Sequence, residues 1–372
     1  MTDRHLHIIS FDVPYPANYG GVIDVFYKQR WLTEKGVKVH LHCFQYGRDE
    51  ADILNDCYDV KYYKRAMSVA NALTRKPYIV ASRRSEALVL DLLKDDYPIL
   101  CEGIHTTAIM LDERLKGRKI FVRAHNVEHD YYRLLADSEK TFWKKAYYVQ
   151  ESRKLRRYET VLNKASGIFA VTAKDADFFA ARYQNVTLVP LFTAFDKVCS
   201  KEGRGSYVLY HGNLSVAENE NAAMWLIDKV FSQIDVPCIV AGMDPSEKLV
   251  AAVSRHANVS LMANPDDAAM IELIGNAQVN VLVTNQPTGM KLKLLNSLYN
   301  GRFCLVNPNM VMGTGLDALC IVKDNPDQMI GEIGRLMTTD FTQMDIINRD
   351  AALHEKYDNG ANADKIIETI FG

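Results

Sequence analysis

The chain has 372 residues and a formal net charge of −2, with 48% hydrophobic and 24% charged residues. A length of this order favours two domains, each large enough to bury its own core. The near-neutral charge argues against a general nucleic-acid-binding protein, because such proteins carry an excess of lysine and arginine.

The cysteines and the apolar segments bear on where the protein works. Its seven cysteines are scattered and form no CxxC pair, so we expect buried free thiols in a reducing compartment. No apolar run approaches the length of about 18 residues that a membrane span needs, and the N-terminal sequence MTDRHLHIISF lacks the layout of a signal peptide. We therefore expect a cytoplasmic protein, one that could touch the inner face of a membrane peripherally.

Strand-like and helix-like patterns alternate along the chain, which predicts parallel sheets flanked by helices. The first unit begins with a strand at His5–Phe11 and a helix at about Val22–Lys35, joined by a loop that ends in Gly20 and Gly21. From the local pattern alone, these glycines serve a turn and a helix start. The GxGxxG fingerprint is absent, and the second strand, 37–44, ends without an acidic residue, which disfavours an NAD-dependent enzyme.

A histidine follows directly on another predicted strand, Lys119–Arg123. His125 lies just beyond the carboxyl end of this strand, where ligands gather in open α/β sheets. The segment HNVEH also matches the HxxEH pattern of some metallopeptidases. We reject a zinc site, because its ligands would have to share one helix face, whereas this motif leaves a strand. A hydrogen-bonded loop histidine is the alternative to a ligand-binding role.

Residues 139–165 have the pattern of one long basic helix with interleaved aromatic side chains. Its cations include Lys144, Lys145, Arg153 and Lys154. Such a helix can lie on anionic lipid. It can equally be a core helix with a solvated basic face, and the sequence slightly favours this second interpretation.

A domain boundary is predicted at residues 191–206, which lack periodicity and contain the linker-like sequence KEGRGS. The alternation restarts with SYVLYHGN, a strand that ends in Gly212 and Asn213, and a helix follows at about Asn221–Phe231. Further strand–helix pairs complete a second doubly wound unit. The chain closes with predicted helices at about 327–337, 345–357 and 363–370.

The stretch Thr284–Asn307 carries the strongest functional signal. After a short apolar strand, its pattern predicts a helix from Met290 to about Tyr299. Thr288 precedes this helix and could cap it, and Gly289 would let a ligand approach the backbone closely.

Lys291 and Lys293 would lie in the first turn of that helix. Positive charge is unfavourable at a helix N-terminus, and a bound anion would offset it, so a diphosphate fits this position. Lysines on an ordinary solvated helix are the alternative. The sequence has no DxD pair in a loop after a strand and no His/Cys cluster, so we expect no metal.

This stretch resembles the donor-phosphate motif of the family 4 glycosyltransferases (glycosyl transferases group 1), of the type that builds bacterial cell-surface polysaccharides. The basic part of the motif, GMKLK followed by two leucines, is retained. The two family glutamates are replaced by Thr288 and Asn296, and Asn296 could still hydrogen-bond ribose hydroxyls. The family's arginine after Asn213 is also absent, so more of the diphosphate charge would fall on Lys293 and Lys291.

The resemblance implies a fold and a domain layout. The fold would be α/β of the GT-B type, with two facing Rossmann-like doubly wound parallel-sheet domains and a cleft between them. An N-terminal, acceptor-side domain would span 1–195 and a nucleotide-sugar donor domain 206–355. A C-terminal helix within 356–372 would cross back to the first domain.

The resemblance also assigns roles to residues. His125 and Lys293 would be catalytic, with His125 reaching the donor sugar and Lys293 the diphosphate. Donor binding would involve a larger set, namely Gly20, Gly21, Gly212, Asn213, Thr288, Gly289, Met290, Lys291 and Asn296.

The function implied is transfer of a sugar from a nucleotide-sugar donor to a glycan or lipid-linked acceptor, with retention of anomeric configuration. The donor is a co-substrate, and no further cofactor is expected. One alternative is a non-catalytic sugar-nucleotide-binding protein, which the replaced glutamates favour. A sugar-nucleotide epimerase of the same fold is a weaker alternative, because we find no convincing pair of acid/base carboxylates.

Overall fold

The computed structural model describes residues 3–68, 71, 74–139, 141–285 and 291–372. The chain divides into two compact units. Unit 1 comprises Met1–Ala194 and Tyr357–Gly372, and unit 2 comprises Phe195–Lys356. Each is built from parallel strands that alternate with helices, as the sequence pattern predicts.

The described strands form one parallel sheet in each unit. Unit 1 has a seven-stranded sheet in the order β3-β2-β1-β4-β5-β6-β7, and unit 2 has a six-stranded sheet in the order β10-β9-β8-β11-β12-β13. The strands are β1 (Arg4–Ser10), β2 (Val37–Gln45), β3 (Asp59–Lys64), β4 (Ile99–Glu102), β5 (Ile120–Ala124), β6 (Gly167–Ala170), β7 (Val186–Leu188), β8 (Val208–His211), β9 (Cys238–Gly242), β10 (Val259–Ala263), β11 (Val279–Leu282), β12 (Phe303–Val306) and β13 (Ile321–Val322).

The order of the strands reverses between β1 and β4 in unit 1 and between β8 and β11 in unit 2. At such a switch point the two flanking loops leave to opposite faces of the sheet, which opens a crevice at the carboxyl ends of the strands. Each unit therefore has one favoured position for a ligand.

The helices cover the faces of the two sheets. They are α1 (Gly20–Glu34), α2 (Tyr78–Ala81), α3 (Glu86–Leu92), α4 (Glu128–Ser138), α5 (Phe142–Tyr158), α6 (Ala173–Ala180), α7 (Ala217–Lys229), α8 (Glu247–Val253), α9 (Asp267–Asn276), α10 (Leu292–Asn300), α11 (Pro308–Val311), α12 (Pro326–Leu336), α13 (Gln343–Tyr357) and α14 (Asn359–Phe371). Among the residues described, no helix is long and apolar enough to cross a membrane.

The last helix, α14, belongs to the core of unit 1. Ala363 and Ile366 are fully buried in the same apolar cluster as Leu32 of α1. At the start of α14 the Asn359 carboxamide accepts a hydrogen bond from the backbone of Thr193 and donates one back, both 3.0 Å long. These contacts fix the C-terminal helix to the end of the first sheet.

Helix α10 packs through one apolar face, as predicted. Leu294, Leu295 and Leu298 are fully buried. The helix ends at Gly301, which has φ −93° and is therefore extended rather than left-handed. Glycine is needed here for another reason, because a Cβ would lie 2.3 Å from the Asn280 carboxamide nitrogen.

The prediction of one long helix at residues 139–165 is wrong. The run 139–165 is not one helix, since α5 ends at Tyr158 and a 3-10 turn, Glu159–Lys164, continues it. This turn directs the Glu159 carboxylate inward to a histidine ring, a buried contact that the helical pattern does not show. Helix α10 begins at Leu292 with Lys291 as its N-cap residue; the predicted start, Met290, lies outside the described residues.

Candidate functional site

Close backbone packing shapes the carboxyl edge of the sheet in unit 2. Strand β8 ends at His211, and Gly212 follows. At the end of the neighbouring β9, a Cβ on Gly242 would lie 1.8 Å from the Gly212 carbonyl oxygen. Only glycine at position 242 allows this close approach, because any side chain there would collide with the backbone of Gly212.

Lys293 reaches this edge from the first turn of α10. Its ammonium donates a 3.0 Å hydrogen bond to the Asn219 side-chain oxygen and lies 5.4 Å from the centre of the Tyr210 ring. Asn219 is fixed in turn by two hydrogen bonds. Its side-chain nitrogen donates to the Asn213 backbone carbonyl at 2.9 Å, and its backbone carbonyl accepts from the Tyr210 hydroxyl at 2.8 Å. The structure thus brings Gly212, Asn213 and Lys293 together at the switch point.

The two lysines are partly buried, and the carboxylate of Glu218 acts on both of them. The pKa of Lys293 is lowered to about 8, mainly by burial; the nearby charge of Lys291 also lowers it, and Glu218 opposes both effects. Burial also lowers the pKa of Lys291, again against Glu218. Glu218 additionally accepts a hydrogen bond from the Thr284 hydroxyl. The sequence pattern did not single out Glu218, although it directly precedes Asn219.

The remaining donor-site candidates of unit 2 differ in placement. Thr288, Gly289 and Met290 lie outside the described residues. Asn296 lies one turn further along α10, where its side-chain oxygen accepts a 2.8 Å hydrogen bond from Asn300 within the helix. Its carboxamide is therefore engaged in the helix itself.

In unit 1, His125 lies where it was expected, directly after β5. Its Nε2 lies 3.1 Å from a Glu102 carboxylate oxygen and 3.9 Å from Asp24. The Lys28 ammonium connects these two carboxylates, at 2.9 Å from Asp24 and 2.8 Å from Glu102. Arg123 completes the cluster with two bonds to Asp24, of 2.9 and 2.8 Å.

This cluster is buried and balanced in charge. The side chains of Asp24, Lys28, Glu102 and Arg123 are fully buried, and His125 is 12% exposed. Burial alone would raise the pKa of Asp24, but Arg123 and Lys28 beside it hold the pKa well below its ordinary value.

Ligand atoms of three members, Asp24, Glu102 and His125, lie within 4.8 Å of one another, a spacing that could hold a metal. A metal would have to displace Lys28, whose ammonium lies 2.9 Å from Asp24 and 2.8 Å from Glu102. In the structure, the two carboxylates of this group therefore form an internal salt bridge with Lys28.

Gly20 and Gly21 form the first turn of α1 near the same cluster. A Cβ on Gly21 would lie 2.5 Å from the edge of the Phe11 ring, and this ring meets His125 edge-on at 5.8 Å between centroids. Glycine at position 21 thus lets α1 begin close to the histidine.

The HxxEH segment does not converge on one site. His129 binds the Glu159 carboxylate at 2.8 Å instead of joining His125. Glu128 begins α4 and is buried, and burial raises its pKa to about 7. The two histidines of this segment thus have separate partners, which agrees with the prediction that the segment does not bind zinc.

Comparison with known protein sequences found one distant relative at significant similarity. No family model matches the sequence. The chain is 26% identical over 327 residues, 83% of its length and 84% of the other protein's, to an uncharacterized 44.6 kDa protein in the cps region of Klebsiella pneumoniae.

Several solved structures match nearly the whole chain, TarM and WaaG among them. TarM superimposes with a TM-score of 0.70 at 10% identity, covering 100% of this chain and 99% of its own. WaaG, a glycosyltransferase involved in lipopolysaccharide biosynthesis, superimposes with a TM-score of 0.65 at 14% identity, covering 99% and 100%. The predicted GT-B fold is therefore confirmed. Membership of family 4 stays a prediction.

Proposed function

We propose that the protein is a glycosyltransferase that moves a sugar from a nucleotide-sugar donor to a glycan or lipid-linked acceptor in polysaccharide biosynthesis. The GT-B fold and the relative from a cps region support this assignment. The observation that carries it is the pair Lys291 and Lys293, partly buried at the switch point of unit 2 with Glu218 as the carboxylate acting on both. Such an excess of positive charge suits a diphosphate.

The proposed chemistry follows from the charge that develops during transfer. As the glycosidic bond breaks, negative charge grows on the leaving diphosphate, and a cation fixed beside it stabilises the transition state more than the ground state. Lys293 is fixed by Asn219 and can exchange that hydrogen bond for a phosphate oxygen. In this proposal the two lysines supply the positive charge, without a metal.

His125 is the proposed contact to the donor sugar. Its ring is oriented by Glu102, which leaves Nδ1 as the nitrogen that is not committed to this carboxylate. Retention of anomeric configuration is part of the proposal because the resemblance to family 4 implies it.

A second candidate function is non-catalytic binding of a sugar nucleotide. It is favoured by the replacement of the second family glutamate by Asn296, whose side chain bonds to Asn300 within α10. Such a protein would hold a donor without activating it.

A two-step assay tests the proposal. Thermal unfolding is followed with saturating UDP-, GDP-, ADP- and TDP-sugars, since ligand at 100 times its dissociation constant stabilises by about 2.7 kcal/mol. Slow hydrolysis of the stabilising donor is then measured without an acceptor. We expect one nucleotide class to stabilise the protein and its sugar to be released. Stabilisation without release would favour the binding protein, and no stabilisation by any nucleotide sugar would overturn both candidates.

A further inference from the structure

An exposed aromatic and basic surface stands at the end of a helical hairpin in unit 1. Helices α4 and α5 pack against each other along their length. Tyr132 meets Tyr148 edge-on at 6.1 Å, and the Ser152 hydroxyl donates to the His129 carbonyl at 2.7 Å. These pairings make the hairpin antiparallel and place its turn beside residues 141–147, the hairpin tip.

The hairpin tip exposes large apolar side chains. Phe142 is 70% and Trp143 79% exposed, and their rings contact each other edge-on at 5.2 Å. Tyr147, one turn further, is 38% exposed. Aromatic side chains exposed to this extent indicate an interaction surface.

The tip also carries cations. Lys144 and Lys145 are exposed directly after Trp143. Within the described part of the chain, neither lysine forms an ion pair. The nearby acids have other contacts: Asp137 pairs with Arg133 at 3.5 Å, and Glu139 accepts a hydrogen bond from the Thr141 backbone at 2.8 Å.

The rest of α5 does not share this character. Glu151 is buried, accepts a hydrogen bond from the Tyr78 backbone at 2.6 Å and pairs with Lys154 at 2.8 Å. Lys154 therefore cannot belong to the lipid-facing cations considered from the sequence. Arg156 and Arg157 are exposed, but they lie at the opposite end of the helix from Phe142 and Trp143.

We propose that the hairpin tip docks on the surface of an anionic lipid bilayer. Aromatic rings partition into the interfacial layer of a bilayer, and adjacent lysines bind its phosphates while their stems stay in the apolar region. Charge complementarity favours an anionic over a neutral surface. Docking of the hairpin tip does not depend on the proposed function, because vesicle binding requires neither a donor nor an acceptor.

Co-sedimentation with vesicles tests the proposal. At low salt, the wild-type protein should bind phosphatidylcholine vesicles that contain phosphatidylglycerol and should not bind pure phosphatidylcholine. The double variant Lys144→Glu/Lys145→Glu should need about 10- to 30-fold more anionic lipid for half-maximal binding, and Phe142→Ala/Trp143→Ala about 10-fold more. The fluorescence of Trp143, obtained by difference from Trp143→Phe, should shift to the blue on binding.

The matched control removes the same charge elsewhere on the helix. Arg156→Glu/Arg157→Glu should bind nearly as well as the wild type, because these residues lie away from the tip. All the variants alter exposed side chains, so their unfolding temperatures should equal that of the wild type. The proposal is overturned if wild-type protein ignores anionic vesicles at low salt, or if the control loses as much binding as the tip variants. A dimer that forms without lipid and requires Trp143 would instead assign the tip to a second copy of the chain.

Discussion

The two units differ in the balance of buried charge at the switch points of their sheets. At the switch point of unit 1, two buried cations, Lys28 and Arg123, face two buried carboxylates, Asp24 and Glu102. At the switch point of unit 2, two partly buried lysines face Glu218. The first cluster is complete by itself, whereas the second has a surplus of positive charge.

This difference separates a structural use of buried charge from a binding use. Removing a partner from a balanced buried cluster leaves an uncompensated charge, which is strongly destabilising. A surplus cation already carries a burial cost in the free protein, which the lowered pKa of Lys293 reflects, and an anionic ligand relieves that cost. Under the proposed function, we therefore expect mutations of the four buried charges of unit 1 to change stability, and mutations of the two lysines of unit 2 to change affinity and rate.

The largest effect should come from Arg123→Met. This change keeps much of the side-chain volume but removes both hydrogen bonds to Asp24, so the free energy of unfolding of unit 1 should fall by about 3–5 kcal/mol. Denaturant titration followed by circular dichroism measures it. Arg114, an exposed arginine that also binds two acids, Glu86 and Asp112, provides the control, and Arg114→Met should cost little. Equal losses in the two variants would contradict a special role for the buried cluster.

Lys293→Ala should lower turnover about 10- to 100-fold and weaken nucleoside diphosphate binding. Charge-assisted contacts to phosphate are worth roughly 1.5–3 kcal/mol, and this one should strengthen as charge develops on the leaving group. Lys293→Arg should recover part of the binding but less of the rate, since a planar guanidinium does not replace a point charge. Steady-state kinetics measures the turnover, and calorimetry measures the affinity for the nucleoside diphosphate.

The control for this series is Lys248→Ala, which removes an exposed lysine from α8 of the same unit. It should leave rate and affinity unchanged. The unfolding temperature of Lys293→Ala should stay close to that of the wild type, because removing a cation from a helix N-terminus is neutral or slightly stabilising without ligand. Full activity of Lys293→Ala would remove α10 as the donor site, and a large drop in unfolding temperature would make Lys293 structural.

Affinity for a nucleoside diphosphate should decline as the pH rises above about 8. The pKa of Lys293 is lowered to about 8 in the free protein because the side chain is buried, and a bound diphosphate would raise it. The lysine is therefore mostly charged below about pH 7 and half charged at about pH 8, and above that each further pH unit should cost up to about tenfold in affinity. Calorimetry between pH 7 and 9.5 measures this decline, and Lys293→Arg should flatten it because arginine stays protonated. An affinity independent of pH in the wild type would show that no lysine titrates on binding.

The smallest effect is expected from Glu218→Gln. Glutamine keeps the size of the side chain and can still accept the Thr284 hydrogen bond, but it removes the charge that opposes the two lysines. At pH 6.5, which is below the lowered pKa of Lys293, diphosphate affinity should rise about 2- to 5-fold. Glu220→Gln is the control, because Glu220 on the same helix binds Ser246. Unchanged or weaker binding in Glu218→Gln would show that the carboxylate contributes to the ligand site.

Local patterns in the sequence were sufficient to predict the elements and to select some residues of the candidate site. Apolar runs and their alternation with helical patterns predicted the parallel sheets and the buried face of α10. A strand buried on both faces of a sheet leaves a continuous apolar run, and a helix buried along one stripe leaves a periodic signal. Lys293 was found because a cation in the first turn of a helix conflicts with the helix dipole, a conflict that is visible in sequence. Glu218, whose charge acts on Lys293, lies 75 positions earlier and gave no such signal.

Only the tertiary structure decided which distant charges meet. Lys28 and Asp24 lie on α1, Glu102 on β4 and Arg123 on β5. The strand order β1-β4-β5 is what lets Lys28 bind Glu102 and Arg123 bind Asp24. The sequence by itself determined the kind and order of the elements, because these depend on local periodicity. It did not determine strand order or side-chain pairing, because these depend on how whole elements pack, and that packing made one charge cluster balanced and left the other in surplus.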